Sequence, residues 1–241
     1  MKKISCIALA SLITISIVAQ EEPKPDSKNK PNLASRANDH FLLQIGVTNW
    51  AGKPDSIHTK GLSRSFNMYF MFDFPFKSNP HLSFAIGAGV GTDNIYFSKT
   101  YVGIKDLTST LRFQDLSDTN HFKKYKLATA VLEAPIELRF SSNPATPNKS
   151  YKAALGLKIG VLVNAHTKGK NLQNASGNTL MSYIEKQNSK RFFNSNRFVA
   201  TGRFGYGVFS VFGAYQLNTL FKEGVAPEIR PYTIGLTISG L

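Results

Sequence analysis

R-S-F-N-M-Y-F-M-F-D-F-P-F, residues 64 to 76, is the stretch whose reading decides the fold. Every second residue gives Phe66, Met68, Phe70, Phe72, Phe74 and Phe76; the other parity gives Ser65, Asn67, Tyr69, Met71, Asp73 and Pro75. A strand places one parity on one face, whereas a helix would scatter those phenylalanines around its circumference. The segment therefore reads as a strand with one wholly apolar face and one mixed, polar face. Its length is near that of a strand crossing a bilayer at a tilt. Two architectures accept it: a soluble sandwich or barrel with the phenylalanines inside, or a membrane barrel with them facing lipid.

The flanking segments favour the second. Leu82, Phe84, Ile86, Ala88 and Val90 alternate with Ser83, Ala85, Gly87, Gly89 and Gly91, so the partner face is nearly all very small. A soluble barrel would show those glycines to water and crowd the phenylalanine row into a narrow lumen. In a membrane barrel the phenylalanines dissolve in lipid and the small residues let a narrow interior close. Upstream, Phe41, Leu43, Ile45 and Val47 alternate with Leu42, Gln44, Gly46 and Thr48, ending at Trp50, which suits an interfacial aromatic girdle.

Downstream, Leu132, Ile136, Leu138 and Phe140 oppose Thr129, Val131, Glu133, Pro135, Glu137 and Arg139. Tyr151, Leu155, Leu157, Ile159, Val161 and Val163 oppose Lys152, Gly156, Lys158 and Gly160. Phe198 to Phe204 and Phe209 to Leu217 flank a Gly205-Tyr206-Gly207 turn, and Tyr232, Ile234, Leu236 and Ile238 complete the set. That makes eight strands. Their connections alternate between long (51–63, 92–123, 167–196, 221–228) and short (77–81, 141–150, 205–207), the pattern of an outer-membrane barrel. The expected fold is all-β, an eight-stranded antiparallel up-and-down transmembrane β-barrel over residues 40–241. Short turns and both termini are expected in the periplasm, and long loops outside. Within 92–120 only Ile95 to Phe97 and Thr100 to Ile104 are expected to continue strands, and 166–196 reads as a loop.

Residues 1–19 pair two lysines with an apolar run and read as a signal peptide; the alternative, an uncleaved anchor, is weakened by Ser5, Ser11, Thr14 and Ser16 within that run. Residues 20–39, rich in Pro, Lys, Asn, Asp and Ser, read as a flexible periplasmic leader. The single cysteine, Cys6, falls inside the signal run, so the mature chain is expected to hold no disulfide or cysteine metal site. His40, His58, His81, His121 and His166 show no paired metal spacing. No G-x-S-x-G supports a serine hydrolase, and Gly87-x-Gly89-x-Gly91 lacks the helix of a dinucleotide fingerprint. Asp55-Ser56-Ile57 matches an acceptor triad for O-linked sugars, a match that chance explains better. No catalytic residue, cofactor or metal is expected, and the protein is read as non-enzymatic.

The inward parity collects Asp73, Glu133, Glu137, Arg139, Lys152, Lys158, Arg197 and Arg203, which in a narrow lumen must pair or hold water. The simplest register across the 141–150 turn sets Arg139 near Lys152 and Glu133 near Lys158. The expectation is a charge network that plugs the lumen; the competing reading is an ion-passing pore. The chain has 29 Lys and Arg against 15 Asp and Glu, a net charge of +14. Lys168, Lys170, Lys186, Lys190 and Arg191 form a basic patch in one long segment. Export argues against nucleic acid as its partner and for anionic lipopolysaccharide.

The run V-L-E-A-P-I-E-L-R-F (131–140), the run Y-K-A-A-L-G-L-K-I-G (151–160) and the tail Y-Q-L-N-T-L-F-K-E-G-V-A-P-E-I-R-P-Y-T-I-G-L (215–236) resemble the small bacterial outer-membrane β-barrels called PorT-like. The OmpX and OmpA barrels are architectural relatives. The resemblance implies insertion by the barrel insertion machinery and, in some relatives, service to protein export or other envelope proteins. One departure is the end: such barrels commonly close on an aromatic residue in step with the lipid-facing row, and here Leu241 is out of step with Ile238. A narrow solute or ion channel and a lipid-modifying outer-membrane enzyme are the alternative functions.

Overall fold

The computed structural model describes residues 41–240. The signal-peptide and leader readings, His40 and the Leu241 terminus lie outside the described residues. Along them run β1 (Phe41–Ala51), β2 (Arg64–Pro75), β3 (Leu82–Phe97), β4 (Thr100–Val102), β5 (Phe113–Asp115), β6 (His121–Ser141), β7 (Tyr151–Gln173), β8 (Thr179–Asn188), β9 (Asn196–Tyr206), β10 (Phe209–Gln216) and β11 (Arg230–Ser239). Eight of these, β1, β2, β3, β6, β7, β9, β10 and β11, each pair antiparallel with the next. The last returns to the first through Leu43↔Ile238 and Val47↔Ile234, closing the barrel. The strands β4 and β5 form a small ribbon of their own, and β8 folds back on β7.

The parity read from the sequence governs burial. Phe66, Met68, Phe70, Phe72 and Phe74 are exposed on the outer wall, while Ser65, Asn67, Tyr69 and Met71 are buried inside. The same alternation runs through Leu132 to Phe140 on β6 and Tyr151 to Val163 on β7. Taken as membrane-spanning, this apolar band ends near Phe66, Val90, Leu132 and Val163. Above it the outward positions turn polar.

Closure of so narrow a barrel depends on Gly87 and Gly89, which face the inward side chains of β2. A Cβ at Gly89 would lie 2.6 Å from Tyr69 Cδ1 and against the Met68 carbonyl oxygen; at Gly87 it would lie 2.5 Å from Met71 Sδ. Because Tyr69 is fully buried, it has nowhere to retreat. Gly89→Val is therefore expected to destabilise the barrel by about 3 kcal/mol, the upper end for overpacking. Urea unfolding in detergent micelles measures it, with Gly61→Val, which meets open space but carries a positive φ, as a surface comparison.

The structure corrects four details. Residues 92–97 continue β3 without a break, and β6 begins at His121, so two strands stand well above the apolar band. The segment 166–196 is not a plain loop: β7 runs on to Gln173, and β8 returns beside it, with Thr167↔Gln187 and Lys168↔Lys186 in register. The reversal is an Asn-rich turn in which the Asn174 side chain accepts from the Asn178 amide (2.9 Å) and Gly177 supplies a positive φ of 86°. Tyr206 belongs to β9, the turn falling after it at Gly207 with φ 61°. Trp50 is not in an outer girdle: it shares the parity of Gln44 and Thr48 and is 4% exposed, inside the barrel.

Candidate functional site

The inward-facing charges assemble in two layers. In the lower one, Glu137 on β6 accepts from Arg139 Nε at 2.8 Å and from Arg203 Nη2 and Nε at 3.1 and 3.3 Å. Asp73 lies 3.5 Å from Arg139 Nη1 and accepts from Ser83 Oγ at 2.8 Å. Four strands thus contribute to one ion cluster, in which Glu137, Arg139 and Arg203 are all below 10% exposed. At that depth the charges are tolerable only because they are paired.

The upper layer is centred on Tyr69. Its hydroxyl donates to Glu133 Oε2 and accepts from Lys158 Nζ at 3.0 Å. Lys158 also donates to Gln44 Oε1 at 2.8 Å and lies 4.7 Å from the Tyr69 ring centroid. Gln44 in turn accepts from Asn67 Nδ2 and donates to Thr237. Arg197 Nη1 closes the top, 2.9 Å from Asp93 and 3.5 Å from Glu133. All seven predicted lumen residues, Asp73, Glu133, Glu137, Arg139, Lys152, Lys158 and Arg203, point inward.

Two pairings differ from the simplest register. Glu133 stands opposite Gly160 and Lys158 opposite Pro135, so these two meet through the Tyr69 hydroxyl rather than directly. Lys152 stands opposite Ser141, not Arg139. The offset arises because pairing runs further into the turn than composition suggests. Ser142 N–H donates to the Tyr151 carbonyl at 2.9 Å, the Ser142 hydroxyl accepts from the Tyr151 amide, and a short 3-10 turn, Pro147–Lys149, takes up the remaining residues.

Above the charged layers sits an apolar cap that the strand alternation does not predict. Trp50 packs edge-on against Phe97, Phe113 and Phe221 at centroid distances of 5.5, 6.4 and 5.9 Å. Ile57, Val102, Ile104, Leu111, Phe192, Phe193 and Ile229 join the same buried cluster, drawn from all four long connections. Burial pushes the Tyr125 hydroxyl up to about 12, so it stays protonated, donating to the Val102 carbonyl and accepting from the Val102 amide. The β4–β5 ribbon is thereby pinned to β6. Between cap and upper layer lies a cavity of only about 20 Å³ lined by Thr48, Asp93, Asn194, Arg197 and Gln216 among others. The signal that could have revealed this cap is the scatter of large apolar residues, Phe192-Phe193 above all, in otherwise polar connections.

The predicted basic patch divides. Lys168 and Lys186 are direct cross-strand neighbours on β7 and β8, and Lys170 stands opposite Ile184. Arg191 instead reaches the Asp106 carbonyl at 3.4 Å and stacks over Phe192, with Lys190 beside it in chain. His81, His121 and His166 each hydrogen-bond an adjacent backbone or amide oxygen. Among the described residues no group of three metal-ligating side chains converges.

Among protein families, the one described as outer membrane protein beta-barrel domain matches residues 19–236. No curated protein matches the chain.

Proposed function

The chain belongs to that family of outer membrane protein β-barrel domains, and from this premise we propose that it is a non-conducting, non-enzymatic barrel whose loop end makes contacts at the cell surface. The observation that carries the reading is the double closure of the lumen, two ion-paired layers beneath an apolar cap, with about 20 Å³ of space between them. The lumen carboxylates Asp73, Asp93, Glu133 and Glu137 are each engaged by an arginine, which suits a plug and leaves none poised as a general base.

We take the short-turn end, with both chain ends, as periplasmic and the long connections as extracellular, since that asymmetry is the rule for bacterial outer-membrane barrels. The likeness of 131–140 and 151–160 supports a PorT-like member, with the insertion machinery and envelope proteins as partners. What suits the loop end to contact is its rigidity. The extensions of β3, β6 and β7 and the packed cap hold it as one folded body.

Planar-bilayer recording of the refolded mature barrel tests the reading. The expected result is insertion without conductance steps. Steps that change in size when Lys158→Met or Arg197→Met is introduced would make the protein a narrow channel instead.

A further inference from the structure

We propose that the outer wall just above the apolar band is a binding site for the phosphate groups of an outer-leaflet glycolipid, built on a cross-strand ladder of Lys126, Lys168 and Lys186. The inference rests on the reading of the chain as an outer-membrane barrel with its long connections outside, and it narrows the expected lipopolysaccharide contact to one chemical group and one site.

The register sets the ladder out. Tyr96 on β3 stands opposite Lys126 on β6, Lys126 opposite Lys168 on β7, and Lys168 opposite Lys186 on β8. Three lysines therefore lie directly abreast. Directly opposed like charges on neighbouring strands are destabilising, and among the described residues no carboxylate forms an ion pair with any of the three. Lys126 is held by the Asn94 side chain at 2.6 Å and lies over the Tyr96 ring, both neutral. Burial and the Lys168 charge lower Lys126, and burial with the charges of Lys186, Lys126 and Lys168 lowers His166, one rung beneath.

The acid of this hairpin faces the other way. Glu185 accepts from Gln187 at 2.7 Å, and its charge acts on Tyr101 and Tyr125 on the cap side. This segregation follows from the β-bulge at Ala130/Val131, which flips the parity of β7 so that Lys168 points out and Thr167 in. Without that bulge Lys168 would enter the cap, whereas Lys126 on β6 would still point out. With it, the row stands on the same wall as the apolar band. On β2 the apolar row passes directly from Phe66 to Arg64, whose register partner is Asn94.

A groove of about 460 Å³ continues the ladder on its β3 side, lined by Lys60, Arg64, Lys123 and Lys124 with Tyr96 at its wall. Its rim is fixed by backbone: Lys60 N–H donates to the Tyr96 carbonyl at 2.8 Å and Ser98 N–H to the His58 carbonyl at 2.8 Å. The volume lies in the range of small-ligand sites. A cationic wall directly above lipid-facing side chains, with an open groove beside it, has the charge and the height for phosphorylated sugar headgroups whose acyl chains lie along the band below. Charge-assisted hydrogen bonds from lysine to phosphate would also relieve the like-charge opposition.

The test uses the refolded barrel in phosphatidylcholine nanodiscs with bisphosphorylated lipid A, dephosphorylated lipid A or neither, reading lipid binding and the heat-induced loss of compact gel mobility. The wild type is expected to gain thermal stability with the bisphosphorylated lipid only. The Lys126→Gln/Lys168→Gln/Lys186→Gln variant is expected to lose that gain and to bind the lipid about 100-fold more weakly, at roughly tenfold or less per lysine. Without lipid A it should be as stable as the wild type or more so, because the opposition is gone. Lys190→Gln, off the ladder, should keep the gain. A gain that survives in the triple variant, or that dephosphorylated lipid A or millimolar inorganic phosphate reproduces, overturns the proposal. Failure to insert would instead strike at the barrel reading itself, and conductance at the reading of the lumen as plugged.

Discussion

Glu137→Gln is expected to lower the barrel's unfolding free energy by about 3–5 kcal/mol, the cost of removing one partner from a buried ion cluster. The carboxylate is 5% exposed and serves two guanidiniums at once. Arg139 would keep Asp73 at 3.5 Å. Arg203 would not be so placed: among the described residues Glu137 is the carboxylate that pairs with it, and its Nη1 already makes no hydrogen bond to protein. An amide cannot balance that cation. The complementary variant separates lost charge balance from lost packing. Glu137→Leu with Arg203→Met removes acid and orphaned base together, and should recover most of the loss, because apolar replacement of a whole buried pair is often neutral or better. Urea midpoints in detergent micelles read both. A loss below about 1 kcal/mol for Glu137→Gln would mean the layer is wet and the charges screened.

The barrel was legible in the sequence because its rule is local. Alternation along 64–76 and 82–91 assigns each side chain to lipid or lumen without knowledge of any partner strand, and a one-residue slip would invert every face. The lumen charges were legible for the same reason: Glu133, Glu137 and Lys158 carry inward parity whatever they pair with. Their actual partners were not, because those depend on how far pairing runs into the 141–150 turn, a matter of the Ser142 side chain and a 3-10 turn. Tyr69, the hub of the upper layer, gave no charge to flag it. The cap escaped because Trp50, Val102, Ile104, Phe193 and Phe221 come from separate connections without period, and only the closed barrel brings them together. The continuation of β7 beyond the bulge escaped because Lys168, Gly169, Lys170 and Asn171 lack strand propensity. What sustains it is β6 on one side and the better strand formers of β8, Tyr183 and Ile184, on the other.

Trp50→Ala is expected to produce the second large effect, about 3–5 kcal/mol for truncating a buried aromatic hub, and to confine it to the loop end. Trp50 joins β1 to β3, to the β4–β5 ribbon and to the β10–β11 connection through its contacts with Phe97, Phe113 and Phe221. Without it the connections lose their common anchor and should become sensitive to protease in intact, folded protein. The chain's single tryptophan makes the wild type its own control. Its fluorescence reports the cap alone, and in a urea titration it should change before the far-ultraviolet strand signal does. The barrel beneath is held by a different set of forces, the ladders and the two ion-paired layers. Compact gel mobility in unheated detergent should therefore persist in the variant, and on the plug reading no conductance should appear, because Arg197, Lys158 and the Glu137 cluster still cross the lumen below the lost cap. Conductance appearing on this substitution alone would show that the apolar cap, and not the charge network, is the seal, and that removing one hydrophobic hub is enough to open a path.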